Sequence, residues 1–521
     1  MPNTEQAIRT SFARFRTLGI LIVALVSLLP VAAQPQSVAA APVSISYFPW
    51  VPNEEIIGGQ GPWVGDVSFQ NLSDDFCSVS IYVARNGTWP KATDGPTTSI
   101  TLKGRESRTV STESLGVPTP GAPLRLEAQC PMATSLKQVT PDGTSAPWSD
   151  GAGIVTGYTG LTRMELNAAE ASTTSGWFLP IVQTNSDWNT FIRVANFNVT
   201  RGIDTRIELY PNGNVDGAAG VDLVLTRRIG VASVWTIDVL EELGPDWVGF
   251  ARITADGNVG VIANRAKAST QLALTNVGIA ADGSSTPGDH RLAAPLLFNA
   301  YNGWNTGINL ANVSDVATDV MVQYFVSDGG MVGEDTLTIP ARGMEYIYTP
   351  GNVHGNSFVG SAMILSDRPL VAAIDEVKYE TTEGLSYMAS SSAQTDAAVP
   401  VVFRENPGDG HHDNSGINVV NMSADSEQTV TIELVSTRGE ALLNVPVSLT
   451  IPPGGNSFVY LPFIDDLPAG TVASARIKTQ HPEGFVAISN DINYNVTGDG
   501  SVVFAASGGR GYYLIPGSTS P

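Results

Sequence analysis

Three tryptophans, Trp63, Trp188 and Trp304, each stand eight positions before an asparagine: Asn71, Asn196 and Asn312. A fourth asparagine, Asn421, lies in the same surroundings, with Asp413 where the tryptophan belongs. Successive asparagines are 125, 116 and 109 residues apart, so the chain reads as a fourfold repeat. A unit of this length buries its own core, unlike a solenoid turn or a propeller blade. The repeat also assigns the most conspicuous residues to architecture before any chemistry is considered.

The segment leading to each asparagine alternates. Val67 and Phe69, Ile192 and Val194, Ile308 and Leu310, and Ile417 and Val419 occupy positions four and two before it, with polar or small residues at many positions between. Period-two alternation predicts a strand with one buried face, and the tryptophan shares the inward parity. The asparagine then starts a turn, where its side chain can bond nearby backbone. Further short strands follow in every repeat. In the third they are Val320–Gln323, Leu337–Ile339, Tyr346–Tyr348, Gly360–Ile364 and Leu370–Ile374. Six or seven short strands per unit point to an all-β chain of four tandem immunoglobulin-like β-sandwiches.

The expected boundaries are 44–167, 177–279, 290–389 and 397–521, after a linker over 34–43. The joins Ala168–Gly176, Ala280–Asp289 and Ser390–Asp396 are rich in small residues, read as flexible, and predict an elongated shape. Each unit opens on a short apolar strand ending in proline: Tyr47–Pro49, Phe178–Pro180, Ala294–Pro295 and Val399–Pro400. A fifth copy, Tyr512–Pro516, is left over. It either closes the last sheet as an edge strand or pairs with a neighbouring chain in head-to-tail self-association.

Residues 1–33 have the layout of a secretory signal peptide. Arg9, Arg14 and Arg16 precede an apolar run from Leu18 to Leu29, and Val31-Ala32-Ala33 supplies small residues for cleavage. The run is short for a membrane span, so no span is expected after cleavage, and the protein is expected to be secreted, extracellular or at the cell surface. Fifty acidic against 28 basic residues exclude a nucleic-acid partner, which needs a basic face. Low charge with much glycine fits a β protein. The only cysteines, Cys77 and Cys130, both fall in the first repeat, and an even pair in an exported chain predicts one disulfide. Their loops can lie at the same end of such a sandwich.

Catalytic signatures are absent: no GxSxG elbow, no HExxH, no Walker loop, no EF-hand loop. Gly59-Gln60-Gly61 precedes a strand and is no dinucleotide fingerprint. No cofactor is expected. Asp409, His411, His412 and Asp413 could bind a divalent metal, but adjacent histidines on an extended segment point to opposite faces, and a solvated loop is the simpler reading. Trp89 and Trp148 lack counterparts in the other repeats and sit beside proline, which makes them the candidates for a sugar-stacking platform. Six N-x-S/T sequons occur, at Asn71, Asn86, Asn198, Asn312, Asn421 and Asn495. Turn chemistry already explains those that coincide with the repeat asparagine.

By strand pattern and composition the mature chain resembles tandem immunoglobulin-like proteins of bacterial exteriors. That resemblance implies a non-enzymatic structural or adhesive role, with a cell-surface polymer, a glycan or other surface proteins as partners. The alternatives are a carbohydrate-binding array and an enzyme with its site at a domain junction.

Overall fold

The computed structural model describes residues 44–508 except 91–94, 141–154, 171–174, 213–219, 268, 271, 283–287, 289, 328–329, 350–356, 381–382, 406–412, 493–501 and 506. The leader, Asp409, His411, His412, Trp148 and the fifth strand copy all lie outside the described residues. What is described is all-β, in antiparallel sheets. In the third repeat one sheet orders its strands His290–Asn299, Phe358–Ser366, Thr318–Val326, Met331–Ile339. The other orders them Met344–Tyr348, Asn305–Asn312, Leu370–Lys378, Glu383–Met388. The second and fourth repeats follow the same order, each with one more short strand, Ile279–Asp282 or Ser507–Gly508, beside the first strand of its own repeat. In the first repeat the opening strand Ser44–Ile57 runs on to pair in both sheets and fuses them into one.

The opening strand carries its proline at a fault in the ladder. The register shifts between Phe48 and Val51, Leu179 and Val182, Ala294 and Leu297, and Val399 and Val402. Proline has no N–H to donate, so the strand accommodates it at a bulge, whether the strand is interior or, as in the third repeat, at the edge of its sheet. The residues flanking the bulge enter the core: Phe48, Leu179, Leu297 and Val402 are all fully buried.

The four repeat asparagines are fully buried and act as turn clamps. The Asn312 carboxamide oxygen accepts from the Ser314 amide at 3.0 Å and hydroxyl at 2.7 Å. Its Nδ2 donates to the carbonyls of Val316, Ile339 and Pro340. Asn71, Asn196 and Asn421 do the same in their repeats. The side chain thus ties the turn after its own strand to the corner between two later strands. Asn312→Ala is expected to cost about 2–3 kcal/mol, because buried backbone groups lose their partners. A denaturant midpoint unchanged from wild type would contradict this role. With Nδ2 used in this way, the sequons at Asn71, Asn312 and Asn421 are closed to glycan attachment in the folded chain.

The repeats do not form an elongated string. The described residues belong to one compact unit, and each repeat packs on the next, with the fourth packing back on the first. Phe178 and Ile181 of the second repeat meet Ala311 and Ala373 of the third. Ala293 of the third meets Val420 and Val486 of the fourth. Ala398 of the fourth meets Leu72 and Ala133 of the first. Tyr47 of the first meets Phe197 of the second at 4.8 Å between rings. One surface of each repeat therefore meets a different surface of its neighbour, and the rotation closes. The strands Val155–Thr159, Leu272–Val277, Glu383–Met388 and Val502–Ala505 contact one another in succession around the centre of this ring.

Two further expectations are corrected. The joins are structured where described: Ile279–Asp282 is a strand paired with the opening strand of its repeat, and Ser390 bridges to Ala293. The strand before each asparagine is also buried on both faces near its end. Arg193, Asn309, Asn418 and Ser68, polar residues at alternating positions that suggest solvent, are buried. The neighbouring repeat, not water, covers that second face.

Candidate functional site

The polar residues with the most unusual surroundings lie at the seams between repeats. Each ladder pairs the position five before the asparagine with Lys137, Asn264, Asp375 or Asn490. The residues that follow these are Gln138, Arg265, Glu376 and Asp491. Equivalent strands place these pairs at equivalent heights, and three seams join the second residue of one repeat to the first of the next. Gln138 accepts from Asn264 at 3.4 Å. Arg265 forks onto Asp375, one arm at 2.7 Å, and also bonds Asn276. Asp491 accepts from Lys137 at 2.8 Å. The first seam adds Glu55, which bonds Arg193 at 2.6 Å and the Trp50 indole at 2.5 Å.

Asp413 is the second partner of Lys137, also at 2.8 Å. The tryptophans at the corresponding position are seam residues too. Trp63 is buried with Ala273 of the second repeat, and Trp188 with Val377 of the third. The fourth repeat thus replaces an apolar wedge by a carboxylate, and its neighbour supplies the ammonium. Burial works to lower the Lys137 pKa, but Asp413 and Asp491 together outweigh it and raise it. An ammonium held this firmly charged is neither nucleophile nor base.

The other predicted residues divide clearly. Cys77 and Cys130 form the disulfide, joining the start of the strand Cys77–Val83 to the end of its neighbour Gly121–Ala128, with Cα atoms 5.7 Å apart. Trp89 is not a platform: it is buried, stacked on Phe197 of the second repeat with Arg125 over its face. Of the metal candidates only Asp413 is described, and Lys137 engages it; among the described residues no group of three or more His, Cys, Asp or Glu is placed to hold a metal. Sequence reading missed Lys137, Arg265, Asp375, Glu55 and Arg193. Aligning the second arms of the four hairpins would have exposed charged residues at matching positions.

Three seam carboxyls have raised pKa values. Burial, opposed by Arg193 and by the Trp50 hydrogen bond, raises Glu55. Burial, opposed by Lys137, pushes Asp66 up to about 6. Burial and then the charge of Asp375 push Glu376 well up, and neither Glu376 carboxyl oxygen meets a hydrogen-bond partner among the described residues. A carboxyl whose folded pKa is raised binds more protons folded than unfolded. Its stabilising contribution is therefore complete below the unfolded pKa and lost as pH rises through the folded one. The chain is expected to gain about 1–3 kcal/mol between pH 7 and pH 5, at ~1.4 kcal/mol per pKa unit. Below that the trend reverses, because groups such as Asp367, held low by the Thr318 hydroxyl, begin to protonate. Thermal melts across pH 4–7 test this, with Asp66→Asn flattening the profile; a melting temperature that falls steadily from pH 7 to pH 5 refutes it.

The chain matches no family model, and no curated protein matches it in sequence.

Proposed function

We propose that this chain is an exported, non-enzymatic structural or adhesive protein of the cell exterior. In this reading its four repeats are immunoglobulin-like β-sandwiches. The observation that supports it most is the use of the distinctive buried charges. Lys137, Asp413 and Asp491, Arg265 and Asp375, and Glu55 and Arg193 all join one repeat to another. Side chains held this way serve rigidity, and a rigid multi-domain body suits a protein that carries load or presents surfaces. The disulfide fits an oxidising compartment. The acidic balance suits a soluble extracellular protein that engages no nucleic acid. An enzyme reading would place its site at a domain junction, and the described seams are filled by packed side chains.

The test is the fate of the first 33 residues. We expect the native protein to begin at or near Gln34 and to be labelled by a membrane-impermeant reagent on intact cells or recovered from the medium. An intact leader on a protein confined to the cell interior would sink the reading.

A further inference from the structure

The edge strand of the asparagine-bearing sheet differs between the two halves of the ring. At the positions paired with the third and fifth residues before the asparagine, the first two repeats carry Thr109 and Ser111, or Thr236 and Asp238. The third and fourth carry Tyr346 and Tyr348, or Phe458 and Tyr460. The intervening Ile347 and Val459 fill the cores, so the aromatic rings stand on the opposite face. There they are open: Tyr346 is 50% and Phe458 42% exposed, and the nearby Phe463 is 76% exposed. Packing does not account for large rings left in water at matching places in two repeats.

The Tyr346 and Tyr348 rings are nearly parallel, 15° apart in plane with centroids 6.3 Å apart. Gly307, on the adjoining strand, has no side chain to hold Tyr346 off the sheet. A Cβ there would lie 2.7 Å from a ring carbon and 2.8 Å from the phenol oxygen. The ring therefore rests on bare backbone and turns its other face outward. In the fourth repeat, Tyr460 and Phe463 meet edge to face at 5.1 Å.

We propose that these two aromatic strips are binding sites for a neutral polysaccharide, each taking pyranose rings of one chain or of neighbouring chains. The inference deepens the surface reading above and rests on it. Flat rings with polar tips match the C–H faces and hydroxyls of a sugar, which aliphatic patches do not. The strips are tyrosine-rich and set in a chain of net charge −22, which disfavours anionic polymers and gives no lipid-like surface. Two like sites on one rigid body suit a repeating ligand, because the second contact becomes intramolecular once the first has formed.

Retention of the purified mature chain on microcrystalline cellulose and on chitin, with heparin beads as the charged control, tests the proposal. We expect retention on at least one neutral polymer. Tyr346→Ala/Tyr348→Ala and Phe458→Ala/Tyr460→Ala should each weaken it about tenfold or more, and the two pairs together should abolish it, at unchanged melting temperature. Gly307→Ala should also weaken binding, though it keeps every aromatic. No retention on either neutral polymer, retention on heparin alone, or variants that bind like wild type would each overturn the inference. A chain found on the cell exterior that binds neither neutral polymer defeats this inference and leaves the surface reading standing. A chain confined to the cell interior with its leader intact defeats the surface reading itself.

Discussion

Lys137→Ala is expected to destabilise the chain by about 3–5 kcal/mol, because it leaves the carboxylates of Asp413 and Asp491 buried without their cation. The cost arises mainly from uncompensated charge and not from the loss of an attraction. Removing the whole set, as Lys137→Met with Asp413→Leu and Asp491→Leu, should therefore cost far less than the single change. Equilibrium denaturation compares the two variants, and hydrogen exchange locates the effect. Lys137→Ala should raise exchange first along Met132–Val139 and Asn414–Asn421, on either side of the closing seam. A single variant no less stable than the triple one would show that the charges do not bear on closure. So would exchange that rises evenly over all four repeats.

Loss of the disulfide ranks next. Cys77 and Cys130 are 53 residues apart, and closing a loop of that length stabilises by about 4 kcal/mol on chain-entropy grounds. The bridge sits where the first repeat meets the fourth. Leu72 bonds the backbone of Pro131 beside Cys130, and its own carbonyl accepts from Arg476 of the fourth repeat at 3.2 Å. The double substitution Cys77→Ala/Cys130→Ala, or reduction of the wild-type chain, should lower stability by about that amount and loosen this corner. A shift below about 1 kcal/mol in denaturant titrations, with and without reductant, would place the bridge outside the energetics of the fold.

The first prediction concerns a contact between repeats, where the residue pattern was least readable; the second concerns a bridge within one repeat. The asparagine clamps, the core positions of their strands and the cysteine pair were legible because each leaves a local mark: a turn residue, a period of two, an even count. The proline bulges were half legible, since proline announces a fault in a ladder without saying which residues flank it. The seam residues carried only a mark that needs all four copies side by side, charged or amide residues at matching positions of the second hairpin arms. Arg193, Asn309 and Asn418 stand where an exposed face would put polar residues, and a polar seam puts the same types in the same places. Trp89 misled for the converse reason: without a counterpart in other repeats it resembled a free platform, and Phe197 of the next repeat covers it.

The departure of Asp413 from the tryptophan pattern shows where the two kinds of knowledge divide. Sequence by itself pointed to an all-β chain with a recurring strand-and-turn pattern, because strand alternation and turn chemistry act over a few residues and recur with each copy. It also located the one copy that differs. Only the tertiary structure decided that the copies close on themselves, and that Asp413 is the closing partner of a lysine 276 positions away. Ring closure depends on the sum of small rotations between successive repeats and on which surfaces then meet, and no local pattern records either quantity.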